Sequence, residues 1–139
     1  GTVGIVCPDS GPLIGFVTLV AAAISMGNTV VAIPSPAHAL SATDLYQVLE
    51  TSDVPGGVVN IVTGGRDAVV PTLAEHLDID ALWYFGPADG AAAIEAASVG
   101  NLKQVWVRDG DRVDWPGVDP AEFLRHATQV KNIWVPYGA

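Results

Sequence analysis

Residues 2–33 read TVGIVCPDSGPLIGFVTLVAAAISMGNTVVAI, and this stretch decides the fold. Thr2 to Val6 is a short, mostly β-branched run of strand length, and it stops at Cys7-Pro8, where proline removes a ladder donor. Pro12 is well placed for a first helical turn, since the N–H it lacks would be unpaired there anyway. An almost wholly apolar segment then runs as a helix to about Met26, and Gly27-Asn28 supplies the stop. Thr29 to Ile33 is a second strand, broken by Pro34 and Pro36. Strand, helix and strand at this spacing make a βαβ unit, whose two strands lie parallel.

The pattern continues outward from this unit. Ser41 is the expected cap of a helix from Ala42, with Asp44 in its first turn and Leu45, Val48 and Leu49 on one face. VPGGVVNIV gives a turn at Pro55-Gly56-Gly57 and a strand from Val58 to Val62. Asp67 is the expected cap of a helix over 68–76, with Pro71 in or near its first turn. ALWYF (81–85) and KQVWV (103–107) are further strands, with a short alanine-rich helix over 88–97 between them. These strands are continuous apolar runs rather than alternating ones, the mark of a parallel sheet covered on both faces. The expected class is therefore α/β, a Rossmann-like doubly wound, mostly parallel sheet of about five strands. After Val107 the style changes. RDGDRVDWPGVDP is polar, PAEFLRHATQV reads as a last helix, and NIWVPY is a terminal apolar run. Residues 1–108 form the expected nucleotide-binding-type domain, and 109–139 a loop, helix and extra C-terminal strand.

Composition excludes several functions. The net charge is −9 with six basic residues, so there is no basic stripe to displace counterions from nucleic acid, and anionic membrane surfaces are disfavoured. Leu13 to Met26 falls short of the ~20 apolar residues a bilayer requires. No leader peptide is read at the start. One cysteine permits no internal disulfide, which suits a reducing, cytoplasmic setting. His38, His76 and His126 lie far apart, and none has a second ligand at metal-binding spacing.

Individual motifs point away from chemistry. Cys7 sits where a strand runs into a helix, the usual place of an α/β active site, yet no histidine lies near it in sequence to activate a thiolate. Ser10 has Asp9 beside it but no G-x-S-x-G context. FGPADG places Gly86 and Gly90 around a strand-to-helix turn, but Pro87 has no N–H to offer a phosphate. Asp109, Asp111 and Asp114 suggest a calcium loop, but the twelfth position counted from Asp109 is Pro120 rather than glutamate.

Taken in order, GTVGIVCPDSGPL, GNTVVAIPS, PGGVVNIVTG, IDALWYFG and LKQVWV resemble the cofactor-binding half of aldehyde dehydrogenases over residues 1 to about 108. The closing ATQVKNIWVPYG is similar to the extreme C-terminus of family-16 members, which carry a second, truncated module behind a complete first one. What the resemblance implies is mostly loss. The catalytic asparagine of the family falls at Ser10. The ribose-holding lysine and glutamate of K-P-S-E fall at Ile33 and Pro36, flanking Ser35. The phosphate-turn serine falls at Pro87, in a turn one residue shorter. The general-base glutamate falls at Arg108, and the nucleophilic cysteine belongs to a domain that would follow; Cys7 matches only a small apolar position. A vestigial cofactor cleft would comprise Ser10, Ile33, Ser35, Gly86 and Gly90.

The resemblance thus implies a catalytically silent module of a larger NAD-dependent aldehyde dehydrogenase, with a structural or assembly role. No resident cofactor is expected; NAD binding, as a regulatory site, is the alternative. The expected partners are the catalytic dehydrogenase domain of the same polypeptide and further copies of the chain, joined through a strand from Asn132 to Tyr137. The other reading of that strand is pairing within its own domain.

Overall fold

The computed structural model describes residues 1–138. Five strands, β1 (Thr2–Val6), β2 (Thr29–Ile33), β3 (Val59–Ile61), β4 (Ala81–Tyr84) and β5 (Gln104–Val107), form one sheet in the order β3-β2-β1-β4-β5. Every pairing is parallel, with Val3 opposite both Val30 and Ala81. Helices α1 (Pro12–Ser25), α2 (Ala39–Thr51), α3 (Arg66–Glu75), α4 (Ala91–Ala97) and α5 (Pro120–His126) cover it. No helix among the described residues is long and apolar enough to cross a membrane.

The apolar runs split by parity onto two faces. Ile5, Cys7, Trp83 and Phe85 point to the face packed by Phe16 and Leu19 of α1 and Phe123 of α5. Val6, Ile33, Leu82 and Tyr84 point to the other, against Val70 and Leu73 of α3 and Ile94 of α4. Both faces of the central strands are covered, so these read as nearly unbroken apolar stretches, while Asn60 and Gln104 stand exposed on the two edge strands. At Gly4 a Cβ would come within 2.9 Å of the Leu73 side chain, so glycine lets α3 approach β1 closely.

Three helical details differ from expectation. A 3-10 turn over Pro36–His38 runs straight into α2, so Ser41 lies inside the helix rather than capping it. Leu45 and Leu49 pack on the core with Ala42, whereas Val48 is exposed. Helix α3 begins at Arg66 with Gly65 at its N-cap, which puts Asp67 in the first turn and Pro71 inside the helix. Pro71 leaves the Asp67 carbonyl without its helical N–H partner; the buried Val70, Leu73 and Ala74 hold the helix across that gap. Its far end is capped from the β5 side, where Lys103 Nζ donates to the carbonyls of Ala74 (2.6 Å) and His76 (2.9 Å).

Residues 109–127 fold back onto the α1 face. Trp115 donates from Nε1 to the Gly110 carbonyl (3.2 Å), and its ring lies 5.6 Å from Phe85. Asp119 caps α5 through the Ala121 N–H. Phe85 and Trp106 meet edge-on at 4.9 Å, Trp106 meets Phe123 at 5.2 Å, and His126 stacks flat on Trp106 at 3.8 Å.

Burial, then the neighbouring Arg125, pushes the His126 imidazole below its ordinary pKa, with Arg108 adding to this and Glu122 opposing it. The folded state therefore takes up this proton less readily than the unfolded chain. The contribution is present above the unfolded value of about 6.5 and is lost as pH falls below it. Urea midpoints at pH 7.5 and 5 are expected to fall further apart in the native chain than in His126→Phe, which keeps the stacking and removes the titration. Equal differences would refute this.

The extra strand expected from Asn132 to Tyr137 does not form. Residues 129–138 make no helix or strand, and Ile133 and Trp134 are 82% and 93% exposed. A strand exists only against another strand's N–H and C=O groups, and this chain brings none to it. Pairing within its own domain is not what the structure shows.

Candidate functional site

The sheet order reverses between β1 and β4: the chain leaves β1 toward β2 and β3, then returns to β4 on the other side. Carboxyl ends of strands at such a reversal form the usual crevice of an open α/β sheet. Four loops meet there: Cys7-Pro8-Asp9 after β1, Pro34-Ser35-Pro36 after β2, Gly64-Gly65-Arg66 after β3 and Gly86-Pro87 after β4.

An internal ion pair fills one side of this crevice. Arg66 Nη1 donates to Asp9 Oδ2 (2.5 Å), and Nη2 donates to Asp9 Oδ1 (2.9 Å) and to the Cys7 carbonyl (2.7 Å). The buried Ser35 hydroxyl donates to Asp9 Oδ1 (2.5 Å). The Arg66 hydrogen bonds, helped by Ser35, hold the Asp9 carboxyl below its usual pKa against partial desolvation. Bidentate arginine–carboxylate pairs are the stronger kind of charged hydrogen bond. This one joins the ends of β1, β2 and β3.

The β4 side is filled by a ring. Tyr84 lies beneath the turn and its hydroxyl donates to the Pro87 carbonyl (2.9 Å). A Cβ at Gly86 or Gly90 would collide with that ring, so these glycines let the turn fold closely around tyrosine. Beside it remains a cavity of about 440 Å³ walled by Pro36, Arg66, Asp67, Tyr84, Pro87 and Asp89. Arg66 meets Asp9 through its two Nη atoms while its buried Nε has no partner, and the other charges at this cavity, Asp67 and Asp89, are acidic.

Of the residues singled out in the sequence, Ser35 joins the Asp9–Arg66 network, and Gly86 and Gly90 come together around Tyr84. Ile33 is fully buried in the α3-side core, and Ser10 lies apart, its N–H donating to Asp111 Oδ1 (3.0 Å). Cys7 is fully buried, and burial pushes its thiol up to about 12 despite nearby Arg66, so it stays protonated and unreactive. Arg108, where the resemblance places the family's base, pairs with Glu122 (3.0 Å). Asp109 accepts from the Asp111 N–H and pairs with Arg112, and no group of metal-ligating side chains occurs among the described residues. Sequence reasoning missed Arg66. Its signal is a cation opening a helix directly after a strand and Gly-Gly, but nothing local links it to Asp9, which lies 57 positions away.

A sequence model of the aldehyde dehydrogenase family matches residues 1–110. This chain belongs to that family. It is 34% identical over 113 residues to aldehyde dehydrogenase, cytosolic 1, of Rattus norvegicus, covering 81% of this chain and 23% of the relative. It matches 2-hydroxymuconic semialdehyde dehydrogenase of Pseudomonas putida equally, at 34% with the same coverage. Among solved structures it is similar to PnpE from a Pseudomonas species (TM-score 0.73, 32% identity, 76% of this chain and 22% of that one). Aldehyde dehydrogenase C of Pseudomonas syringae, solved with NAD+ and octanal, aligns with TM-score 0.73, 33% identity and the same coverage. The chain thus spans less than a quarter of the length of these relatives, and the family model's residues 1–110 hold the five strands and helices α1 to α4.

Proposed function

We propose that this chain is a catalytically silent aldehyde dehydrogenase module that serves the assembly of a larger, cytoplasmic NAD-dependent aldehyde dehydrogenase polypeptide, like the truncated second module of family-16 members. The Arg66–Asp9–Ser35 network carries the reading. It fills the strand-end crevice from within and leaves Asp67 and Asp89 at the cavity beside it. A dinucleotide would lose its ribose contacts at Ile33 and Pro36, meet a turn packed by Tyr84, and bring its diphosphate toward carboxylates. Unpaired polar groups of this kind cost about 1–3 kcal/mol each. Removal of thiolate, base and oxyanion donor leaves no route to aldehyde oxidation. The exposed apolar tail supports the assembly role, since such a segment left open in water invites association.

The cavity of about 440 Å³ beside Tyr84 favours one alternative, a regulatory nucleotide site. Calorimetric titration separates the two. The chain is expected to give no saturable heat with NAD up to millimolar concentration, and no NADH with added aldehyde. Saturable binding without turnover would establish the regulatory reading, and turnover would overturn both.

A further inference from the structure

Helix α1 has no charged residue, and its outer side remains apolar: Leu13, Ile14 and Val17 are between 40% and 48% exposed. A helix apolar all round is normally covered on every side. At its C-terminal end this stripe runs through Ala21 and Ile24 into an open groove of about 570 Å³, bordered by Val54, Pro55 and Val58. Among the side chains lining that groove one is charged, Asp53.

The same chain carries a second uncovered apolar feature. Between 129 and 138 the tail holds Val130, Ile133, Trp134, Val135 and Tyr137, all largely exposed, with Lys131 as its one charge. It departs next to the groove: the Ala127 carbonyl accepts from Asn28 Nδ2 (2.8 Å), and Asn28 lines the groove.

We propose that the α1 stripe and its terminal groove receive the tail of a second copy of this chain, Trp134 and Ile133 entering the groove end and Lys131 facing Asp53. This rests on the assembly role above and names its surface. Three arguments select a second copy. Thr128, Gln129 and Lys131 border another groove of their own chain beside Gly1 and Asp80, but Ile133, Trp134, Val135 and Tyr137 beyond them pack on nothing in it, and none of them meets its own α1. The two features match in polarity, and their single charges are opposite. Exchange about a two-fold axis also uses each feature twice, as an isologous dimer requires. Two aromatic side chains per tail, in two tails, bury roughly 600–1,000 Å². The helix surface beneath them adds a similar area, which reaches the ~1,200 Å² of a specific interface.

The test uses thiol cross-linking, for which Cys7 is inert because it is fully buried. One preparation carries Trp134→Cys and the other Ala21→Cys, with Ile133→Cys and Ser25→Cys as a second pair. Mixed and mildly oxidised, they are expected to give a disulfide-linked dimer that neither preparation gives alone. Lys131→Gln or Asp53→Asn is expected to weaken association about two- to fivefold, the range of an exposed ion pair. Asparagine suits Asp53 because that residue has φ +57°. A disulfide forming within one chain when Trp134→Cys and Ala21→Cys are combined would overturn the two-copy proposal. Loss of oligomer on deleting 131–139, without any mixed cross-link, would reject this surface while leaving the assembly role in place. An unchanged sedimentation profile after that deletion would overturn both.

Discussion

Phe85→Ala is expected to lower the stability of this chain by about 3–5 kcal/mol, the usual cost of truncating a fully buried phenylalanine. Phe85 has no exposed surface and meets Trp106, Trp115 and Phe123 at ring distances of 4.9, 5.6 and 6.2 Å. It is therefore the point at which β4, β5, the 109–118 loop and α5 share one core. The loss is a large part of the ~5–15 kcal/mol that holds a domain folded. For a chain of this size it corresponds to a fall of roughly 10–20 °C in Tm. Calorimetric melting of the native chain and the variant measures it. A fall of only a few degrees would show that residues 109–127 hold on without this aromatic cluster.

Gly110→Ala is expected to be nearly as damaging, at about 3 kcal/mol, for the opposite reason. Here there is no room. A Cβ on Gly110 would press into the Phe85 carbonyl oxygen and approach Pro8 Cβ at 2.6 Å. Overpacking costs about 1–3 kcal/mol when side chains can yield, and one of these neighbours is main chain at the end of β4. The loop must lift, which draws Trp115 away from Phe85 and frees Asp111 from the Ser10 N–H. Urea unfolding followed by tryptophan fluorescence reports both the lost stability and the displaced Trp115. An unchanged midpoint would mean that the loop lies more loosely over the β1–α1 turn than its contacts indicate.

The parallel sheet was legible because its information is local. Each of the first four strands is an apolar run soon followed by proline or glycine, the fifth runs into Arg108-Asp109, and each connection is long enough for a crossover helix. Helix starts were less legible, because they depend on competing turn chemistry. Pro36 set up a 3-10 turn that carried α2 past Ser41, and Gly64-Gly65 let α3 begin before Asp67. A start at Ala68 would put Pro71 in the first turn; the start at Arg66 places it in the interior, where buried Val70, Leu73 and Ala74 hold the helix. The departures from the family pattern at Ile33, Pro36, Pro87 and Arg108 could be read from the chain because each stands inside a recognisable block. The groups that occupy the crevice could not. Arg66 meets Asp9, and Tyr84 fills the turn, through proximities that exist only once the sheet is assembled. The tail shows the converse: its strand-like sequence is plain, but a strand needs a neighbour.

The strand order also sets how the molecule comes together. β1, β2 and β3 pair with sequence neighbours, whereas β4 must find β1 across nearly eighty residues, Ala81 opposite Val3. Loop-closure entropy makes the first half of the sheet the quicker to close and the second the slower. Until β4 arrives, β1 has a bare apolar edge open to any other chain. Dilute, unhurried renaturation therefore favours recovery of the native fold, and crowded refolding favours aggregates seeded at the middle of the sheet.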